Sequence, residues 1–251
     1  MPDVFDHVGV AVSDLDASLP FYELAFAELG YGEPYRGDWF YEWEDFAIGQ
    51  ATDDRPATRN LHVALAASSR EAVDAWWRAM TAAGYPEDGA PGPRPQYSPT
   101  YYGAFVRDPD GNSVEAVTHG EPRPGENRID HLWMRVRDLA ESRLFYETVA
   151  PTVGLRVRDG AANRFHVTSG TRSFALVHDE EPATENVHLA FPAPDRASVE
   201  AFHRAATDAG FRDNGGPGER PEYHAGYYAA YVLDPDGNNV EAVFHDRTAG
   251  S

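Results

Sequence analysis

The sequence contains no cysteine and no lysine; all 21 of its basic residues are arginine. The first absence removes thiolate nucleophiles, cysteine-ligated zinc and disulfides. The second removes any Schiff-base lysine, and with it covalent pyridoxal chemistry. Positive charge as a whole is scarce. Against 41 acidic residues the formal net charge is −20, which opposes binding to phosphate backbones and anionic membranes. Solubility is the plain consequence. Attraction of a cationic ligand is the sharper one, although surface charge alone names no pocket. Long apolar runs are also missing: none approaches the ~18–20 residues that span a bilayer. The opening MPDVFDHVGV has neither the basic stretch nor the long apolar stretch of a secretory leader. These absences lead us to expect a cytoplasmic protein with no nucleic-acid or membrane partner.

What is present is an internal duplication. GAPGPRPQYSPTYYGAFVRDPDGNSVEAVTH (89–119) matches GGPGERPEYHAGYYAAYVLDPDGNNVEAVFH (215–245) without a gap, at an offset of 126. The front halves match more loosely at an offset of 124: Asp6-His7 with Asp130-His131, Phe21-Tyr22-Glu23 with Phe145-Tyr146-Glu147, Gly30 with Gly154. Such a change in offset implies a small insertion in the second copy. The Pro/Gly-rich stretch around GEPRPGE reads as a linker. The expected organisation is therefore a module at 1–119, a linker at 120–126, a second module at 127–246 and a tail at 247–251.

Each copy reads as β-α-β-β-β-β-α-β-β. FDHVGVAV (5–12) is apolar and β-branched, a strand. Ser13 with Asp16 is a weak capping box for a helix striped by Leu15, Leu19, Tyr22 and Phe26 and ending near Gly30. Short aromatic strands are expected within 33–50, and LHVALA (61–66) is another strand. SSRE (68–71) opens a second helix that runs to about Ala83 and stops at Gly84. YYGAFVRD (101–108) and SVEAV (113–117) form a hairpin across DPDGN, whose Asp-Gly supplies the positive φ of a tight turn.

Three polar residues interrupt the apolar strands of the first copy: His7, His62 and Glu115. Their partners in the second are His131, His188 and Glu241. A carboxylate inside VEAV needs a cation or strong hydrogen bonds if it is buried. Taken singly, each histidine suits a hydrogen-bonded core position and each glutamate an ion pair. Retention of the whole triplet in two otherwise diverged halves points to a shared task. Two imidazoles and one carboxylate suit a divalent transition metal and leave coordination positions open for water or substrate. His119 and His245 also recur, four residues past each glutamate, and are read as structural or surface residues.

With DHVGVAV, LHVAL and DPDGNSVEAV in place, the chain resembles the vicinal oxygen chelate superfamily, which takes in glyoxalases, bleomycin-resistance proteins and extradiol dioxygenases. The resemblance covers both copies. It implies an α+β fold of two tandem modules, each of paired βαβββ units forming a cupped mixed sheet. It also implies metal ligands at His7, His62, Glu115, His131, His188 and Glu241. A site is built within one module in some members. In others it is swapped, which here joins His7 with His188 and Glu241, and His131 with His62 and Glu115. The metal expected is Fe2+ foremost, with Mn2+, Zn2+ or Ni2+ as alternatives. The expected activity is metal-dependent chemistry on a small molecule with vicinal oxygens, by a lyase, an isomerase or an extradiol-type dioxygenase. The alternative is a non-catalytic drug-binding protein. Monomer and homodimer both remain open.

The second copy partly resembles the extradiol signature. His224 precedes Tyr231, which stands ten residues before Glu241, and in that subfamily such a pair binds and deprotonates a catechol. Glu222 and Ala230 depart from the pattern, and the first copy has Ser98 and Phe105 instead. A further upstream catalytic histidine has only His166 and His178 as loose candidates. Tyr97, Tyr101, Tyr102, Tyr223, Tyr227 and Tyr228 are expected to pack the strands, with a pocket-wall role as the alternative. Arg94 and Arg220 are either solvated or clamp a substrate anion. Trp39, Tyr41, Trp43 and Trp133 are expected in the core.

Overall fold

The computed structural model describes residues 4–120, 128–169 and 172–246. Most of the expected linker and all of the expected tail lie outside the described residues. The first copy contributes β1 (His7–Val12), α1 (Leu15–Glu28), β2 (Tyr35–Arg36), β3 (Phe40–Trp43) and β4 (Phe46–Gln50). It continues with β5 (His62–Ala66), α2 (Arg70–Ala82), β6 (Glu87–Pro93), β7 (Tyr102–Arg107) and β8 (Ser113–Thr118). The second contributes β9 (Ile129–Arg135), α3 (Leu139–Val149), β10 (Arg156–Asp159), β11 (Arg164–Thr168) and β12 (Ser173–Val177). Then come β13 (Val187–Pro192), α4 (Arg196–Asp208), β14 (Arg212–Glu219), β15 (Tyr227–Leu233) and β16 (Asn239–His245). Among the described residues there are thus four α-helices and two mixed eight-stranded sheets, an α+β fold.

The chain divides into two compact units, Gly9–Leu132 and Met1–Val8 with Trp133–Ser251. In the Gly9–Leu132 unit the strands run β1-β4-β3-β2 and β9-β5-β8-β7-β6. In the other unit they run β14-β15-β16-β13-β1 and β10-β11-β12-β9. The strands β1 and β9, split by this division, contribute to both units. Each unit therefore holds a run of three neighbouring strands, β9-β5-β8 in one and β1-β13-β16 in the other.

Local chemistry explains the elements. The buried residues of α1 (Ser18, Phe21, Tyr22, Ala25 and Phe26) recur at three- and four-residue spacing, one face of a helix. Its N-cap is Asp14, which accepts from the Ala17 amide, rather than the expected Ser13. Ser13 is drawn away to the DPDGN turn: its amide donates to Asp110 and its hydroxyl accepts from Arg59. In α2 the cap is Ser69, one residue later than the expected box, with the Ala72 amide as its donor. Gly30 and Gly84 follow the helix ends at φ 81° and 93°, a conformation that side chains with a Cβ resist.

Each copy has one strand more than expected. The missed strands, β6 and β14, read EDGAPGP and RDNGGPGE. Glycine and proline hid them, because such residues fit an irregular, bulged edge strand better than a regular one. Both pair with their neighbours through register shifts.

Buried amides then fix the strands that carry the candidate ligands. Asn112, which follows the DPDG turn, is fully buried; its side-chain oxygen accepts from the Leu61 amide, just before β5. Asn238 does the same for the Val187 amide of β13. Each clamp sets a parallel register, His62 beside Ser113 and His188 beside Asn239. Alternate residues share a sheet face, so Glu115 and Glu241 point the same way as those histidines.

Candidate metal centres

The structure brings the six expected ligands together as two groups, His7 with His188 and Glu241, and His62 with Glu115 and His131. Each draws one residue from each of three neighbouring strands, and each mixes the two copies of the repeat while lying inside a single compact unit. In both groups the donor atoms lie within 4.8 Å of one another.

In the first group His7 Nε2 is 3.1 Å from His188 Nε2, and Glu241 Oε2 is 3.0 Å from His188 Nε2 and 3.7 Å from His7 Nε2. In the second, Glu115 Oε2 is 3.1 Å from His62 Nε2 and 3.6 Å from His131 Nε2. The glutamates are about 1% exposed and the histidines roughly a fifth, so the donors sit at the floor of an accessible surface.

The far side of each imidazole is held. His7 Nδ1 donates to Asp6 over 2.9 Å, and His131 Nδ1 to Asp130 over 2.8 Å. Ser113 gives its hydroxyl proton to Asp88, so its oxygen accepts from His62 Nδ1. With a proton on Nδ1, these three rings turn a lone pair on Nε2 toward the centre. His188 Nδ1 meets Asn239, whose amide meets Asn214 in turn; turning both amides together accommodates either tautomer.

Tyr101 and Tyr227 pack against apolar strand residues as expected, and their hydroxyls take a further task. The Tyr101 hydroxyl donates to both oxygens of Glu115, and the Tyr227 hydroxyl to Glu241 Oε1. Their fourteen-residue spacing ahead of each glutamate was the available signal. Burial and then the facing carboxylate push both phenols up, so both remain donors. Burial also pushes Glu241 up, but the His188 hydrogen bond, the imidazole charges and Tyr227 outweigh it and hold the acid below its usual range. Among the described residues no arginine pairs with Glu115 or Glu241.

Tyr231 stands opposite Glu241 on the adjacent strand, its ring 6.3 Å from that of His188. Burial and Glu241 push its phenol up despite the opposing charge of Arg220, whose guanidinium lies 5.4 Å over the ring. Phe105 and Arg94 occupy the matching places beside His62. His224 lies on the loop before β15 and joins His245 instead of the donor trio, Nε2 to Nδ1 at 2.9 Å. His245 in turn meets Asp6 at 2.9 Å, so it supports the candidate ligand His7 at one remove. His119 meets Asp130 in the same way at 3.1 Å. His178 is tied to the Val136 carbonyl, and His166 lies on β11. Trp43 is buried as expected, whereas Trp39 is about half exposed beneath Arg55.

A family model described as the Glyoxalase/Bleomycin resistance protein/Dioxygenase superfamily matches residues 40–116 and 128–242. Among solved structures, glyoxalase I from Zea mays is 21% identical with a TM-score of 0.69, over 97% of this chain and 92% of that one. A protein proposed to be a dioxygenase, from Bacillus subtilis, is 11% identical with a TM-score of 0.62, over 98% of this chain and 86% of that one. At such identities the likeness establishes the fold. No curated protein sequence matches the chain.

Proposed function

Starting from the fact that the chain belongs to the glyoxalase/bleomycin resistance protein/dioxygenase superfamily, we propose that it is a divalent-metal-dependent enzyme acting on a small molecule with two adjacent oxygens. One observation carries this reading. Twice among the described residues a buried carboxylate faces two imidazole nitrogens with no arginine paired to it. An isolated buried carboxylate is costly. A cation between the three donors relieves that cost and satisfies the inward lone pairs. The donors fit Fe2+ foremost, and Mn2+, Zn2+ or Ni2+ as well, since imidazole and carboxylate suit all four.

A bound ion would supply Lewis-acid stabilisation of negative charge on a substrate oxygen. The protein's own groups would do the rest. Asp6 and Asp130 orient His7 and His131. Tyr227 and Tyr101 hold each glutamate in one rotamer. Tyr231, kept protonated, offers a hydrogen-bond donor to a substrate oxygen and is poorly suited to act as the base. We place the proton chemistry at the His7 group, since Phe105 offers no such donor at the other.

The test is metal analysis of protein purified without chelators, followed by a substrate screen. Catechols and thiol adducts of 2-oxoaldehydes are the first two classes to assay. Two ions per chain and turnover lost on chelation support the proposal. Absence of bound metal, with no thermal shift on adding any of the four ions, would end it. Tight stoichiometric ligand binding that survives His62→Ala and His188→Ala would favour a binding protein instead.

A further inference from the structure

The His7 group is backed by a longer chain of side chains than its counterpart. Asp6 accepts on Oδ1 from His7 Nδ1 and on Oδ2 from His245 Nε2, each over 2.9 Å. His245 Nδ1 faces His224 Nε2 at 2.9 Å. His224 Nδ1 then faces the carbonyl oxygen of Ala225 at 2.9 Å. In the second group the chain stops at His119, because Ser98 stands where the repeat has His224.

Asp6 therefore bridges the rings of His7 and His245, one carboxylate oxygen to each, and His245 is held from behind by His224.

Asp6 faces His245 from the residues leading into β1, and Asp246 follows His245 directly. Arg196 of α4 lies 3.6 Å from Asp246 and offsets part of that acid, while also pairing with Glu219. Tyr227 is edge-on to the rings of His224 and His245, and Tyr223 packs on Tyr227. These two imidazoles lie nearly in one plane, 19° apart, and meet edge to edge through His224 Nε2 and His245 Nδ1.

We propose that His224 and His245 are positioning residues for the His7 group. They fix Asp6, and through it the ring of His7, so that the metal affinity of this group depends on His245 and His224 and that of the other does not. The inference rests on the metal reading above. Removing partners outside the metal's own ligands typically lowers affinity about 10–100-fold. His245→Ala is therefore expected to weaken one of the two ions about tenfold. His245→Gln restores an N–H toward Asp6 and recovers most of the loss. His224→Ala, one contact further from the metal, weakens the same ion several-fold.

The experiment is Mn2+ titration of the full-length chain, free ion counted by electron paramagnetic resonance, in a Glu115→Gln background that leaves the His7 group to be read alone. Nitrogen-15 shifts of the His7 imidazole in metal-free protein report independently whether its hydrogen bond to Asp6 survives each substitution. No Mn2+ bound by the wild-type chain would overturn the metal reading itself. Binding that His245→Ala leaves unchanged overturns the positioning role. Binding that His224→Ala leaves unchanged overturns the part given to His224.

Discussion

Replacing Glu241 with glutamine keeps the side chain's size and removes its charge, so its effect on stability divides into two parts. In metal-free protein the carboxylate accepts from Tyr227 and lies 3.0 Å from His188, in a buried place. A glutamine oxygen still accepts from Tyr227, so the loss is one charge-assisted bond becoming neutral, about 1 kcal/mol. With metal at a hundredfold excess over its dissociation constant, each filled group adds about 2.7 kcal/mol to stability. Glu241→Gln forfeits that for one group of the two. For a chain of this size the additional loss corresponds to a fall of roughly 5–10 °C in unfolding temperature. The assay is differential scanning calorimetry of both proteins in chelator and in Mn2+, beside a metal count. The expected pattern is a small difference in chelator, a large one in Mn2+, and a count falling from two to one. Equal destabilisation in both buffers with two ions still bound would refute the reasoning.

Three other expectations follow from the same contacts. Tyr227→Phe and Tyr101→Phe each strip a hydrogen bond from a buried carboxylate and should cost about 1.5–3 kcal/mol in urea unfolding of metal-free protein; losses of a few tenths would mean that the carboxylates are hydrated there. Tyr231→Phe should keep both metal ions and lower turnover on the screened substrate at least about tenfold, since removing a donor to a developing oxyanion commonly costs 10²–10³. Turnover unchanged would remove Tyr231 from the site. The third concerns pH. Burial pushes Asp234, in the second DPDGN turn, up to about 6. A folded acid raised above its unfolded value of about 3.9 stabilises the fold most below that value, and the contribution, about 3 kcal/mol, is lost as pH rises toward and through 6. Asp6 and Glu241 are lowered, so their contribution is present above about pH 4 and lost only in stronger acid. Carbon-13 titration should show one aspartate carboxyl near pH 6; its absence would place Asp234 in a wetter turn.

Much of this was readable from the sequence because the signals were short-range or repeated. The DPDGN hairpins announce themselves through turn chemistry, with Gly111 and Gly237 at φ 85° and 90°. The donors stand out because charge inside an apolar strand requires an explanation and the repeat supplies the same exception twice. Pairing was not readable. Whether His7 meets His62 or His188 depends on which strands become neighbours, and local periodicity does not encode that. The same limit hid the tyrosines: Tyr101 reads as one more aromatic of the strand that follows it until its hydroxyl is found on Glu115. Caps failed by one residue because Ser13 had a distant suitor, Arg59, that a local rule cannot see.

The two groups share their donors and differ in what surrounds them, and the differences point one way. Gly103 leaves the Glu115 carboxylate space that a Cβ there would fill, whereas Ala229 stands at the matching position beside Glu241. Correspondingly, Glu115 accepts Tyr101 with both oxygens and Glu241 accepts Tyr227 with one. Tyr227 therefore leaves Glu241 Oε2 to the histidines, while Tyr101 shares that oxygen of Glu115 with them. Beside the donors, Tyr231 carries a hydroxyl where Phe105 has none. Behind them, His224 extends the relay that Ser98 cuts short. Each change adds a proton-bearing group, or frees an acceptor, at the His7 group. Duplication supplied two equal donor sets. On the proposed function, unequal surroundings would suit one of them to hold an ion and the other to hold an ion and manage protons beside it.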